Sequence, residues 1–155
     1  MKTCFLFGHR DAPEALLPAI EAAMLECVDA RGVEEFVVGR RGGFDALAAR
    51  AGCAVKRKRP GVVLTLLLPY LPATPEALPP GFDGSLFPDG LERAPRRFAI
   101  SRANRWMLGR CDCAVAYAVH PGNAAELLRR AEGRKIHIVR LADPRHPLYN
   151  REPAR

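Results

Sequence analysis

The residues best suited to chemistry sit in short polar bursts that follow apolar runs. Gly8-His9-Arg10-Asp11 follows Cys4-Phe5-Leu6-Phe7, and Gly39-Arg40-Arg41-Gly42-Gly43 follows Glu35-Phe36-Val37-Val38. His120-Pro121-Gly122-Asn123 follows a third such run, ending at Val119. A glycine lets the backbone approach a ligand closely. Amides exposed in such loops, or at a helix N-terminus, attract anions. The backbone amides of Gly8, Gly42, Gly43 and Gly122 are therefore the expected phosphate cradle, with Asn123 beside the last of them. Arg10, Arg102 and Arg105 are expected to add charge-assisted, bidentate bonds. His9 serves either as a phosphate donor or as support behind one. Asp45 and Glu126 are the carboxylates that could act in catalysis. Against this stands a plainer reading, in which the loops are surface turns and the arginines a solvated basic face.

The glycine pattern matches neither of two well-defined phosphate motifs. No Gly-Lys-Ser/Thr follows Gly42-Gly43 as a P-loop requires, and no G-x-G-x-x-G is present. Five scattered cysteines (4, 27, 53, 111 and 113) form no C-x-x-C pair, so no structural metal is expected, and no cofactor. They read as small buried hydrophobes in a reducing compartment.

Composition narrows the class. A chain of 155 residues suits one domain with a substantial core, and 48% hydrophobic with 26% charged residues is ordinary globular material. The net charge of +7, from 24 basic and 17 acidic residues, favours anionic partners. The excess is diffuse, which favours a small anionic ligand over nucleic acid. The longest apolar stretch, 62–68, is strand-sized, so no membrane span is expected. With no signal peptide in view, the expected location is cytoplasmic.

The elements that must position these residues follow from periodicity. Strands are expected at 4–8, 35–38, 62–68, 112–119 and 136–139. Asp11 and Glu14 have capping-box spacing, but Pro18 moves the start of the first long helix to Leu17-Pro18, and Gly32 ends it. Further helices are expected from Phe44, over 96–110 and over 124–131. On the helix over 96–110 Arg102 and Arg105 share one side with Phe98, while Ala99, Ala103 and Met107 form a core stripe. Trp106 is either core or a stacking surface. Half of the fourteen prolines fall in 69–95, which is read as an ordered flap near the site, anchored by Tyr70, Phe82, Leu86 and Phe87. Strands alternating with helices predict a doubly wound parallel α/β sheet of about five strands, in the order 3-2-1-4-5, with helices on both faces. The domain is expected to span 1–141, followed by a C-terminal tail over 142–155.

Four elements carry a resemblance to a known family. Gly8-His9-Arg10, Gly42-Gly43-Phe44-Asp45, Leu68-Pro69-Tyr70 and Asn104-Arg105-Trp106-Met107 occur in the order found in YpsA-like proteins. These belong to the SLOG superfamily, named for Smf/DprA and the LOG phosphoribohydrolases. The resemblance covers roughly residues 2 to 140. It implies a Rossmann-like fold and a site for a nucleotide or nucleotide-derived ligand, in a sensor or binding module. Asp45 would then hold a ribose hydroxyl or cap its helix. A homo-oligomer is also in keeping with the superfamily.

The alternative is a LOG-type nucleoside monophosphate phosphoribohydrolase, with Glu126 or Asp45 acting beside an arginine. LOG enzymes follow their fourth strand with P-G-G-x-G-T-x-x-E. Here that loop is Pro121-Gly122-Asn123-Ala124-Ala125-Glu126, which lacks the G-T pair and places its glutamate three positions early. Ala103 stands where YpsA-like relatives have an arginine, with Arg102 one place before it. A DprA-like role on single-stranded DNA needs a continuous basic track, which the scattered arginines do not form.

Overall fold

The apolar runs that precede the glycine loops form the centre of one parallel sheet. The computed structural model describes residues 1–74 and 76–145. Its strands are β1 (Thr3–Gly8), β2 (Glu35–Val38), β3 (Val63–Leu67), β4 (Gly84–Leu86), β5 (Cys113–Tyr117) and β6 (His137–Arg140). Between them lie α1 (Leu17–Arg31), α2 (Gly43–Lys58), α3 (Arg96–Leu108) and α4 (Asn123–Glu132). The spatial order is β4-β3-β2-β1-β5-β6, and every pairing is parallel. The five expected strands thus take the expected order, as β3-β2-β1-β5-β6. The architecture is a doubly wound, Rossmann-like α/β fold.

Central strands in such a sheet must be apolar on both faces. In β1 the alternation divides two cores. Cys4 and Leu6 pack with Leu16, Ile20 and Met24 of the α1 side and with Phe44, Leu47 and Val55 of α2. Phe5 and Phe7 pack with Ala103, Met107 and Leu108 of α3 and with Leu127 and Ala131 of α4. Ala99, Ala103 and Met107 are buried as their spacing implied, and Trp106 packs partly buried at the edge of the second core.

The helix boundaries follow local chemistry. Pro18 sits in the first turn of α1, where its missing N–H costs no helical bond. Gly32 closes α1 in the left-handed region, at φ 71°. The capping box does not form. Glu14 begins a short 3-10 turn and pairs with Arg50 at 2.6 Å, while Asp11 turns toward His120.

One element was not expected. The proline-rich segment 69–95 is not irregular throughout, because 84–86 joins the sheet as an edge strand, with Thr65 opposite Gly84 and Leu67 opposite Leu86. The physical reason is local: 81–87 is free of proline, and an edge strand needs only one ladder. Further along, Leu91–Arg93 forms a 3-10 turn that buries Leu91 in the second core. Phe82 packs on the first core, and Leu86 and Phe87 on the second. Of the expected tail 142–155, residues from 146 onward lie outside the described residues. No helix among the described residues is long and apolar enough to cross a membrane.

Away from the glycine loops, one carboxylate ties three strands. Thr3 Oγ1 donates to Glu35 Oε1 at 3.0 Å, and Thr65 Oγ1 donates to Glu35 Oε2 at 2.7 Å. Both threonines are buried. Glu35→Ala leaves two buried hydroxyls without their acceptor, and should destabilise the fold by about 1–3 kcal/mol in urea unfolding. A loss below about 0.3 kcal/mol would show that water replaces the carboxylate freely.

Candidate functional site

Parallel sheets place ligand crevices beyond the carboxyl ends of their strands, where strand order reverses. Here the chain runs outward from β1 through β2, β3 and β4, then returns to β5 on the other side of β1. A cleft of about 730 Å³ opens at that reversal. Its floor includes Phe5, Phe7, Leu67, Ile100 and Leu127, and its rim is built from the loops after β1, β2 and β5 together with α3 and α4.

Gly8 is required by packing. A Cβ there would lie 2.5 Å from Cγ of Phe44 and 2.9 Å from Cβ of Tyr117. Its φ is not positive, so close approach rather than a turn demands glycine. Gly42 and Gly43 also lie in close contact with the β1 loop, and Gly42 additionally holds a positive φ of 88° that favours glycine. A Cβ on Gly42 would meet Arg10 Cα at 2.8 Å, and one on Gly43 would meet the Arg10 carbonyl at 2.6 Å. The Gly43 amide donates to the Arg10 carbonyl at 2.8 Å, and the Phe44 amide donates to the His9 carbonyl at 3.3 Å.

This corrects the expected cradle. Gly42 and Gly43 lie behind Arg10 and position it, and the Gly43 amide is already bonded. Gly122 and Asn123 do line the cleft, with Ala124. The first helical bond of α4 runs from the Glu126 amide to the Gly122 carbonyl at 3.1 Å, so the amides before it lie outside the helical ladder.

The charge is concentrated. Six arginines line the cleft (10, 40, 41, 97, 105 and 130) against three carboxylates, Asp11, Asp45 and Glu126. Among the described residues Arg10, Arg97, Arg105 and Arg130 join no ion pair. Arg102 is exposed and does not line the cleft. Helical spacing explains this, since 97, 101, 104 and 105 fall on one stripe of α3 and 102 is rotated off it. Arg97, Ser101, Asn104 and Arg130 are cleft residues that sequence reasoning missed. The same spacing rule, anchored on the buried stripe rather than on the arginine pair, would have found the three on α3.

The proline-rich segment reaches the rim through Tyr70. The guanidinium carbons of Arg41 and Arg96 lie 5.0 and 4.1 Å from the Tyr70 ring centroid, and Arg41 also donates to the Tyr70 hydroxyl. Pro69 lines the cleft, and Arg40 pairs with Glu76 at 3.4 Å.

Two histidines meet at the strand ends. The rings of His9 and His120 stack with centroids 3.5 Å apart and planes 7° from parallel. His9 is buried, and its Nε2 accepts the His120 amide at 3.2 Å, which places the proton of the neutral ring on Nδ1. Burial, with the neighbouring His120 adding to it, lowers the pKa of His9. His120 is exposed and its pKa is raised, first by the Pro121 carbonyl and then by Asp11. Its Nδ1 lies 2.9 Å from the Pro121 carbonyl, and its Nε2 lies 3.1 and 3.2 Å from the Asp11 carboxylate oxygens. The hydrogen bond to His120 is the main cause that lowers the pKa of Asp11. Ligand atoms of His9, Asp11 and His120 lie within 4.8 Å of one another, the one such grouping among the described residues. Parallel rings direct their lone pairs along parallel planes, and both His120 nitrogens already face acceptors. The arrangement suits a hydrogen-bonded stack better than a metal ion.

The carboxylates differ in character. Glu126 is well exposed and pairs with Arg129 at 3.6 Å. Asp45 is largely buried and its Oδ2 accepts the Arg41 amide at 2.8 Å, so it holds the loop before α2 while lining the cleft. Burial raises its pKa to about 6. A carboxyl whose pKa is higher folded than unfolded weakens the fold once the pH exceeds the folded value. That cost fades as the pH falls toward 3.8, its ordinary value. Asp45→Asn keeps the acceptor for the Arg41 amide. It should stabilise the protein by about 1–3 kcal/mol at pH 8, with the gain disappearing by about pH 4 in parallel urea titrations. A gain that does not change with pH would contradict the assignment. No protein-family model and no curated protein sequence matches the chain, so its functional reading rests on this geometry.

Proposed function

We propose that the cleft binds a nucleotide or nucleotide-derived ligand, and that the protein is a sensor or binding module of the YpsA-like type in the SLOG superfamily. The observation that carries this reading is a set of arginines that join no ion pair among the described residues and come from three separate elements, Arg10 after β1, Arg97 and Arg105 on α3 and Arg130 on α4, around one crevice at the strand reversal. Holding like charges together is unfavourable unless an anion joins them. The amides at the start of α4 add donors suited to phosphate. Ile100, half-buried on α3 over the buried Phe5, Phe7 and Leu67, offers an apolar surface for the less polar part of the same ligand.

A second reading is favoured by one observation. Asp45, a largely buried carboxyl with a pKa of about 6 in the cleft, is poised for proton transfer near neutral pH. In a phosphoribohydrolase of LOG type it, rather than the exposed Glu126, would act on the ribose.

Thermal unfolding with AMP, ADP, nucleotide sugars and dinucleotides separates the two. A ligand at about a hundred times its Kd adds about 2.7 kcal/mol, or roughly 5–10 °C in Tm. The binding-module reading expects such a shift, lost in Arg10→Ala and Arg105→Ala, with no free base released. Release of base from AMP, abolished in Asp45→Asn, would establish the hydrolase instead. Absence of any shift across the panel would overturn both.

A further inference from the structure

We propose that the Asp11 carboxylate occupies an anion position on His120, and that His120 is a ligand-binding cation of the cleft whose bound phosphate takes the place of Asp11. The proposal rests on the anion-binding reading above and adds to it a residue pair that exchanges on binding.

The hydrogen bonds define the charge of His120. An imidazole whose two nitrogens both face acceptors is satisfied only when both carry protons. Nδ1 faces the Pro121 carbonyl and Nε2 faces the carboxylate of Asp11, an arrangement that only the imidazolium satisfies at both nitrogens and that therefore favours it. Its plane is fixed from one side by His9. The His9 ring is buried and accepts the His120 amide, so it stays neutral and gives the cation a flat aromatic face to stack on. The groups facing His120 are therefore His9 and Asp11 from the β1 loop and Arg145 from the segment after β6, which opposes its protonation. Arg10, Glu126 and Arg130 line the same cleft.

Asp11 behaves as a substitutable partner. Its side chain is 64% exposed, and among the described residues its hydrogen bonds to other side chains are those with His120. Exposed ion pairs are weak, because water competes for both charges. A phosphate in the same place presents more negative charge and more acceptor oxygens. It would reach Nε2 of His120 together with the amides of Gly122, Asn123 and Ala124, which follow His120 after Pro121. A carboxylate at the mouth of an arginine-lined cleft also repels an incoming anion. Asp11 therefore lowers affinity while it holds the imidazolium ready.

The test is calorimetric titration of inorganic pyrophosphate at pH 6.0, below the ordinary imidazole value of 6.5. Asp11→Asn should bind roughly three- to tenfold more tightly than the wild type, through removal of a competing like charge. His120→Gln should bind roughly five- to tenfold more weakly. Adding Asp11→Asn to His120→Gln should then recover less than about twofold, because the two residues act on one position. Asp11→Ser provides a second variant of the same exposed site, with circular dichroism checking the fold of each. Equal or weaker binding by both Asp11 variants overturns the proposal, because Asp11 would then build the site rather than block it, while binding by the wild type keeps the broader reading. Failure of the wild type to bind pyrophosphate removes both.

Discussion

Three loops are held together by contact with three residues. Gly8 has no side chain, so the ring of Phe44 can lie where a Cβ would be, 2.5 Å from its Cγ. That approach brings the start of α2 against the end of β1, where the carbonyls of His9 and Arg10 accept the amides of Phe44 and Gly43. On the other side the ring of His9 accepts the amide of His120. The backbone amide of His9 donates to the Tyr117 carbonyl at 3.1 Å, continuing the β1–β5 ladder past the strand end. The loops after β1, β2 and β5 are thus fixed to one another before any ligand enters. Rigid placement is what a binding site needs, since loose side chains lose affinity to ordering.

The electrostatics follow from that placement. Arg10 projects from the fixed loop, and Arg97, Arg105 and Arg130 come from helices on the opposite face of the sheet. Each is carried by an element whose position is set by core packing, so mutual repulsion cannot disperse them. Asp45 shows the same constraint with the opposite sign. It is kept largely buried because its carboxylate orders the loop before α2, and its raised pKa is the consequence. The stack of His9 on His120 is a third case, in which the buried ring accepts a backbone hydrogen bond while the exposed ring faces an acceptor at each nitrogen.

Much of this was legible in the residues, and the parts that were not have physical reasons. The strand order followed from alternation and from the apolar runs, because a sheet buried on both faces leaves little choice. The edge strand at 84–86 was hidden because three residues, Gly-Ser-Leu, carry no periodicity; only their partner β3 defines them. Gly8 and His9 stand out in the sequence, but Gly8 reads there as room for a ligand, whereas the ring of Phe44, far along the chain, is what requires it. Gly42 and Gly43 were read as ligand groups because a glycine loop looks the same whether it approaches a phosphate or another loop. Arg102 and Arg105 share a side of α3 by spacing, but the stripe that lines the cleft runs through Arg97 and Arg105 and leaves Arg102 off it. The pairing of Asp11 with His120 joins residues 109 apart in the chain, and no local pattern marks it. Asp11 looked like a helix cap for that reason.

The account's central claim is that the crevice between the ends of β1 and β5 receives a phosphate-bearing ligand. Amide chemical-shift mapping by NMR during titration with AMP tests it most directly. The account predicts saturable shifts concentrated at 8–11, 39–41 and 122–124, with smaller ones along the cleft side of α3 between Arg97 and Arg105. Shifts confined to the outer surfaces of α1 and α2, or none at millimolar AMP, would contradict it.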